Sequence, residues 1–192
     1  MGYPPLPVSR RRGRSETMAV LEICTYPDKV LLREAEPICT IDKEIVRLAD
    51  DMAETMYNAP GIGLAANQVG APRRLIVVDC SKRDLDSQLI VLVNPEIIAA
   101  EGLTSMEEGC LSVPDYQAEV TRYEKVKVRG LDLQGKAVEL DADGLLAVVL
   151  QHEIDHLNGK LFIDHISRLK RELCKRRLLK RRAKETATDA PL

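Results

Sequence analysis

The chain has 192 residues, of which 45% are hydrophobic and 30% are charged, and its formal net charge is −2. This composition is typical of one soluble globular domain, and no apolar run is long enough to span a membrane. With no Trp and one Phe, the chain is poor in the aromatic side chains that stack on bases, so we expect no sequence-specific binding of nucleic acid. Five scattered cysteines without a Cys-x-x-Cys pair predict reduced thiols and a cytoplasmic location.

The first 17 residues differ in composition from the rest of the chain. They contain three prolines and four arginines, and they lack the apolar core of a secretory signal. We expect residues 1–17 to be a disordered leader or an upstream start, with an organelle transit segment as the alternative. The folded domain is predicted to cover residues 18–166, followed by a basic C-terminal helix and frayed tail over residues 167–192.

An amphipathic helix is predicted after Asp42, which is a typical N-cap residue. Apolar residues, among them Met52 and Met56, recur at three- and four-residue spacing up to about Tyr57, and we expect both methionines in the core. The small residues of 61–68 then allow close backbone approach. This stretch lacks the third glycine of a dinucleotide site and the Lys-Ser/Thr of a P-loop, which disfavours nucleotide binding.

Several β-branched runs predict strands. Residues 74–79 and 89–94 are bounded by turn residues, and a hairpin is predicted within residues 120–140 with its turn at 132–135. Between these strands, residues 105–114 hold Cys110 with two carboxylates just before it. A metal ligand could come from this segment.

The segment 151–159, Gln-His-Glu-Ile-Asp-His-Leu-Asn-Gly, is the strongest functional signal. His152 and His156 lie one helical turn apart, so both imidazoles can bind one divalent ion. Glu153 is close enough to accept a proton from a metal-activated water without being a ligand, which makes it the candidate general base. Asp141 or Asp143 is predicted to cap this helix, and residues 158–159 to end it.

Two imidazoles leave a catalytic zinc-type site one protein ligand short. Downstream of the helix only Asp164 and His165 are available, and their spacing is unlike that of the zinc peptidases. We expect His165 to be a local hydrogen-bonding residue. Upstream, Cys110 is the alternative third ligand.

The predicted C-terminal helix is strongly basic. Ten of the seventeen residues from Arg168 to Lys184 are Lys or Arg, and Leu169, Leu173 and Leu178 or Leu179 form an apolar seam. Because so many like charges repel one another unless an anionic surface compensates them, RNA or a ribosomal surface is the expected partner.

Taken together, three segments resemble the signature of the peptide deformylases. They are Gly-x-Gly-Leu-Ala-Ala-x-Gln at 61–68, Glu-Gly-Cys-Leu-Ser at 108–112 and Gln-His-Glu-x-x-His-Leu at 151–157, in the family's order. The resemblance covers residues 18 to about 170. It implies Cys110, His152 and His156 as metal ligands, Glu153 as acid/base, and Gln68 and the Leu111 backbone N–H as oxyanion donors.

The same resemblance implies a substrate site and a reaction. Gly63 would lie near the substrate backbone, and the pocket for the methionine side chain would be lined by Ile62, Met106, Leu145, Val148 and Val149. The implied reaction is hydrolytic removal of the formyl group from the N-terminal formylmethionine of nascent polypeptides. The implied ion is Fe²⁺ in the cell, and Zn²⁺, Ni²⁺ or Co²⁺ could take its place in purified protein.

The fold expected is α+β, with antiparallel strands packed around the central metal-binding helix and with an added C-terminal helix. Two other functions remain open from the residues alone. A zinc endopeptidase would share the His-Glu-x-x-His helix but needs a downstream third ligand. A non-enzymatic RNA- or ribosome-binding protein would need a closed site with four ligands.

Overall fold

The computed structural model describes residues 19–81 and 87–188, so the predicted leader, residues 1–17, lies outside the described residues. The strands are β1 (Gly63–Ala65), β2 (Leu75–Val78), β3 (Ile90–Glu101), β4 (Thr104–Cys110), β5 (Val113–Arg122), β6 (Lys125–Leu131) and β7 (Ala137–Asp143). The α-helices are α1 (Lys43–Asn58), α2 (Gly144–Leu157) and α3 (Arg168–Thr188). Three short 3-10 segments cover Lys29–Leu32, Ala66–Val69 and Phe162–Asp164.

Five strands form an antiparallel sheet in the order β1-β2-β3-β6-β7, and β4 and β5 form a separate two-stranded sheet. The expected α+β fold with a central helix and a C-terminal helix is confirmed. Among the described residues, no helix has the length and apolarity needed to cross a bilayer.

At β2 the five-stranded sheet is buried on both faces, which explains why this strand is apolar throughout. Leu75 and Val77 pack with Met52 and Met56 of α1 on one face. Ile76 and Val78 face the opposite side, where the apolar residues of α2 pack. The predicted core position of both methionines is confirmed.

Helix α2 runs through the middle of the molecule, and ten of its residues are buried. Asp143 precedes it as expected, but its side chain makes no capping hydrogen bond, so the prediction of a side-chain cap was wrong. Asn158 ends the helix and Gly159 follows in the left-handed region with φ 68°, as expected. At α1, the Asp42 side chain accepts from the Glu44 and Ile45 amides, which confirms that cap.

A third cluster joins the β4–β5 sheet to α3. Its members include Val113 and Val120 of β5, Phe162, and Cys174 and Leu178 of α3. Helix α3 continues to Thr188, four residues beyond its expected end near Lys184.

Candidate metal and active site

The two histidines of α2 lie on the same face of the helix, one turn apart. Their Nε2 atoms are 3.2 Å from each other, and both side chains are buried. Phe162 stacks against the His152 ring with 6.0 Å between the ring centroids. The pair is therefore held inside the protein and does not belong to a solvated helix face.

Cys110, at the end of β4, completes a group of three candidate ligands. Its Sγ atom is 3.2 Å from His156 Nε2, and the ligand atoms of Cys110, His152 and His156 all lie within 4.8 Å of one another. A thiolate and two imidazoles suit a divalent ion bound at about 2.0–2.3 Å, and the convergence of their donor atoms fits such an ion. The downstream alternative is not supported, because the His165 ring faces Asp155 and Arg122.

Glu153 places a buried carboxylate beside this group. Burial raises the pKa of Glu153 to about 7, and the nearby negative charge of Glu108 adds to the rise. Its Oε2 atom has no hydrogen-bond partner among the described residues. Glu153 is thus a carboxyl group that can both take up and release a proton near neutral pH.

The two imidazoles differ in their readiness to bind a proton. Burial opposes the charged form of both, but contacts with Cys110 and Glu108 outweigh it and raise the pKa of His152. Burial and the neighbouring His152 lower the pKa of His156. His156 is therefore held as a neutral imidazole, the form that binds metal ions.

Gln68 is fixed by hydrogen bonds on both ends of its amide. Its Oε1 accepts from the Ala65 amide at 2.8 Å, and its Nε2 lies 3.1 Å from Ser112 Oγ and 3.6 Å from Cys110 Sγ. The Gln68 NH₂ group therefore points toward the Cys110 side of the site. Leu111 follows Cys110 directly, at a break in the β4–β5 register between Gly109 and Cys110.

A cleft of about 840 Å³ opens over these residues. All the residues predicted to bind substrate line it, together with Cys110, His152, Glu153, Gln68 and Leu111: they are Ile62, Gly63, Met106, Leu145, Val148 and Val149. Val148 and Val149 are buried at its floor, whereas Ile62 and Leu145 are exposed at its mouth. The structure thus brings the predicted site residues to one place, although their individual roles stay predictions.

Beneath the site, three charged residues form a network that was not expected from the sequence. Glu108, Arg122 and Asp155 form a buried network of ion pairs. Burial alone would raise the pKa of Glu108, but hydrogen bonds from His152 and Arg122 outweigh it and lower that pKa. Glu108 is therefore a carboxylate at neutral pH, and it lies next to one of the candidate ligands.

The Asp155 carboxyl is held in the same charged form. Burial would raise its pKa, but hydrogen bonds from His165 and Arg122 outweigh the burial and lower the pKa of Asp155 to about 2. Glu108 was noted in the sequence as one of the two carboxylates before Cys110, but its contacts with His152 and Arg122 were not expected. Arg122 stands at the end of β5 with no motif around it, so no local signal indicated it.

The fold and the site together define a class of protein. The Cys110 side chain and two imidazoles converge beside a cleft, and a buried carboxyl group of raised pKa lies next to them. This is the arrangement of a metal-hydrolase centre.

Comparison with known proteins identifies the family. The sequence profile of the polypeptide deformylases matches residues 20–172. A peptide deformylase of Syntrophobacter fumaroxidans is 54% identical over 170 residues, which are 88% of this chain and 100% of that protein. The chain belongs to the polypeptide deformylase family, and the resemblance stated from the motifs is confirmed.

Solved structures agree with this assignment. The crystal structure of a peptide deformylase from Legionella pneumophila matches with a TM-score of 0.80 and 46% identity, covering 90% of this chain and 100% of that chain. The Met-Ala-Ser bound structure of a peptide deformylase from Acinetobacter baumannii matches with a TM-score of 0.73 and 38% identity, covering 78% and 100% of the two chains. Family membership supports removal of the N-formyl group from nascent peptides as the activity.

Proposed function

We propose that this chain hydrolyses the formyl group from the N-terminal formylmethionine of newly synthesised polypeptides and releases formate. Cys110, His152 and His156 would hold one divalent ion, and Glu153 would act as general acid and base. The observation that carries the proposal is the buried Glu153 carboxyl, with its pKa raised to about 7, beside the three converging ligand atoms.

The residues of the site have different roles in amide hydrolysis. A divalent ion bound there would supply Lewis acidity that lowers the pKa of a water molecule. Glu153 accepts the proton of the attacking water as the C–O bond forms, and it returns a proton to the peptide nitrogen as the C–N bond breaks. The Gln68 NH₂ group and the Leu111 backbone N–H donate hydrogen bonds to the oxyanion that develops between these steps.

Substrate binding follows from the shape of the cleft. The apolar side chains of Val148, Val149 and Met106 line a pocket that suits a methionine side chain. Strand β1 is at the edge of its sheet, so an extended peptide can add beside it through backbone hydrogen bonds that carry little sequence preference. The Acinetobacter baumannii peptide deformylase was solved with Met-Ala-Ser bound, which supports a short methionyl peptide as a ligand for this chain.

For the ion we propose Fe²⁺ in the cell, with Zn²⁺, Ni²⁺ or Co²⁺ as substitutes in purified protein. Thiolate and imidazole ligands accept all four, and intrinsic affinity favours Zn²⁺ over Fe²⁺, so the ion after purification need not be the working ion. Cys110 is half-buried at the cleft and open to oxidation. We expect the Fe²⁺ form to lose activity in air and the Ni²⁺ form to keep it; equal lifetimes of the Fe²⁺ form with and without oxygen would count against Fe²⁺.

The test of the activity is formate release from formyl-Met-Ala-Ser by anaerobically prepared protein, with metal content measured on the same sample. Glu153→Gln should lower the rate by about 10²–10⁴-fold, because it removes the proton acceptor, and should still bind metal. Glu139→Gln, at an exposed position on β7, is the matched control and should keep the rate of the parent. No formate from fully metallated parent would overturn the substrate assignment.

We propose the ribosome surface in the cytoplasm as the partner of α3. Arg176, Arg177 and Lys180 are exposed on this helix, and anionic RNA would compensate their mutual repulsion. Reversing these three charges to Glu should weaken ribosome binding and reduce its salt dependence, while turnover of formyl-Met-Ala-Ser stays the same. Unchanged ribosome affinity would exclude α3 as the contact.

These charge reversals are a better test than removal of the helix. Cys174 and Leu178 of α3 are buried against β5 and Phe162, so truncation from Arg171 would expose an apolar cluster. A loss of ribosome binding in the truncated protein could then come from misfolding.

A further inference from the structure

The three ligand atoms of the proposed metal centre come from two parts of the fold. His152 and His156 belong to α2, whereas Cys110 ends β4 in the two-stranded sheet. Within the described residues, β4 and β5 pair with each other and with no strand of the five-stranded sheet. Contacts made by side chains therefore contribute to the position of the β4–β5 sheet against α2.

Arg122 makes this connection. Its side chain is 4% exposed at the end of β5, and its Nε and Nη2 lie 2.8 and 3.1 Å from the two oxygens of Glu108 on β4. Its Nη1 donates to Asp155 of α2. One planar guanidinium thus binds both halves of the site, which a lysine ammonium could not do in the same geometry.

The contacts of Arg122 lead directly to the metal ligands. Glu108 Oε2 lies 2.8 Å from His152 Nδ1, which directs His152 Nε2 toward Cys110 and His156. Asp155 immediately precedes His156. A shift of Arg122 would therefore move Glu108, which contacts His152, and Asp155, which precedes His156.

His165 supports this network from the solvent side. Its Nε2 is 2.7 Å from Asp155 Oδ2 and 3.3 Å from Arg122 Nη1, and its side chain is 34% exposed. Gln151 of α2 adds a second attachment, since its amide bonds both the N–H and the C=O of Tyr123. The residue after Arg122 is thereby fixed to the same helix.

We propose that Arg122 is a positioning residue that keeps Cys110 in register with His152 and His156 for metal binding, and that His165 supports Arg122 through Asp155. A buried ion network stabilises a fold only weakly relative to apolar packing of the same volume, so stability alone is a poor reason for these charges at the junction. The inference rests on the metal centre of the proposed function but not on its substrate.

The test is titration with Co²⁺, followed by the thiolate-to-cobalt absorption band and by affinity, without any formylated peptide. Arg122→Lys keeps the positive charge but loses the planar set of donors that binds Glu108 and Asp155 together. We expect about 10–100-fold weaker Co²⁺ binding and a weaker thiolate-to-cobalt absorption band. Arg129→Lys is the matched control, because Arg129 forms an ion pair with Glu96 on the surface of β6. It should bind Co²⁺ as the parent does.

His165 provides the second pair of variants. His165→Phe removes the contact with Asp155 and should weaken Co²⁺ binding by up to about tenfold, whereas His165→Gln keeps a donor and should restore most of the affinity. Combining His165→Phe with Arg122→Lys should cost no more than Arg122→Lys alone, because the two act through one network.

Parent-like Co²⁺ affinity and absorption in a folded Arg122→Lys protein would overturn the proposal. If circular dichroism shows that Arg122→Lys does not fold, His165→Phe decides, and parent-like values in that variant would overturn it. If the parent protein shows no thiolate-to-cobalt absorption band, the proposed metal centre is wrong, and so is the role proposed for Arg122. Deformylation of formyl-Met-Ala-Ser is judged separately by formate release.

Discussion

At the scale of single residues, Gly63 and Glu153 show how closely the chain is packed at the candidate site. A Cβ atom added to Gly63 would lie 2.4 Å from Glu153 Oε1 and 2.9 Å from its carboxyl carbon. Real Cβ atoms do not make contacts this short. Because Gly63 has no side chain, the Glu153 carboxylate can occupy this space. The glycine is needed for this close approach.

We expect Gly63→Ala to displace the Glu153 carboxylate and to lower formate release by about 10²-fold or more, since it moves the proton acceptor. The three atoms nearest to the new methyl group all belong to Glu153 and not to a candidate ligand, so metal content should stay the same. Formate kinetics and metal analysis on one sample check both statements. A variant with the parent's rate would show that Glu153 can work from another position.

Asp79 is a buried carboxyl group whose effect on stability depends on pH. Burial alone would raise the pKa of Asp79, but hydrogen bonds from Ser81, Tyr57 and Ser87 outweigh it and lower the pKa below its ordinary value. A carboxyl group with a lowered pKa in the folded state stabilises that state fully above the unfolded pKa of about 3.9. This stabilisation is lost as the pH falls through the folded pKa.

We expect Asp79→Asn to lower the free energy of unfolding at pH 7 by about 1.5–3 kcal/mol, the contribution of hydrogen bonds to a charged group. The difference from the parent should persist at pH 5 and shrink at pH 3. Urea unfolding at the three pH values measures it. Asp141→Asn, at an exposed position, should show a much smaller difference at every pH, and a constant deficit for Asp79→Asn down to pH 3 would contradict the assignment.

The site residues that could be predicted from the sequence are those whose spacing along the chain indicates a shared function. His152 and His156 were found because four residues make one helical turn, and Cys110 was found through its short motif. Arg122 could not be found in this way, because its partners Glu108 and Asp155 are 14 and 33 residues away. Only the approach of β5 to α2 in the folded chain brings these charges together.

At the scale of elements, the agreement depends on how strong the local pattern is. Helix α1 and the strand β2 have a clear period and were predicted near their observed bounds. Strand β4 was not predicted, because Thr-Ser-Met-Glu-Glu-Gly-Cys is polar and only Glu108 in it is buried. Strand β3 extends past Pro95 to Glu101, since register shifts after Val93 and Ile97 accommodate the proline and Asn94 at φ 51°.

Helix α3 offers an element-scale prediction from two adjacent leucines. Leu178 is 4% exposed in the cluster with Val113 and Phe162, whereas Leu179 is 48% exposed. We expect Leu178→Ala to lower the free energy of unfolding by about 2–5 kcal/mol, as is usual for buried leucines. Leu179→Ala should stay within about 0.5 kcal/mol of the parent. Denaturant unfolding of both variants is the measurement, and equal losses would contradict the packing of α3 on β5.

At the scale of the whole molecule, the candidate metal centre lies where separately packed parts meet. The histidines of α2 belong to the helix that covers the five-stranded sheet, and Cys110 packs at the edge of the cluster around Phe162 and α3. Cys110 and His156 are 46 residues apart in the sequence. The three ligand atoms therefore converge only in the folded chain, and metal binding must be linked to global folding.

This linkage gives the last prediction. With free Zn²⁺ at about 100 times its dissociation constant, the folded state should gain about 2.7 kcal/mol, and EDTA should remove the gain. For a domain of this size, each kcal/mol raises Tm by about 2–4 °C, which thermal unfolding followed by circular dichroism can resolve. Cys110→Ser should lose most of the gain, whereas Cys39→Ser, at an exposed position away from the cleft, should keep it. If both variants gained as much as the parent, the ion would be binding elsewhere, and the link between Cys110, the metal and the fold would be wrong.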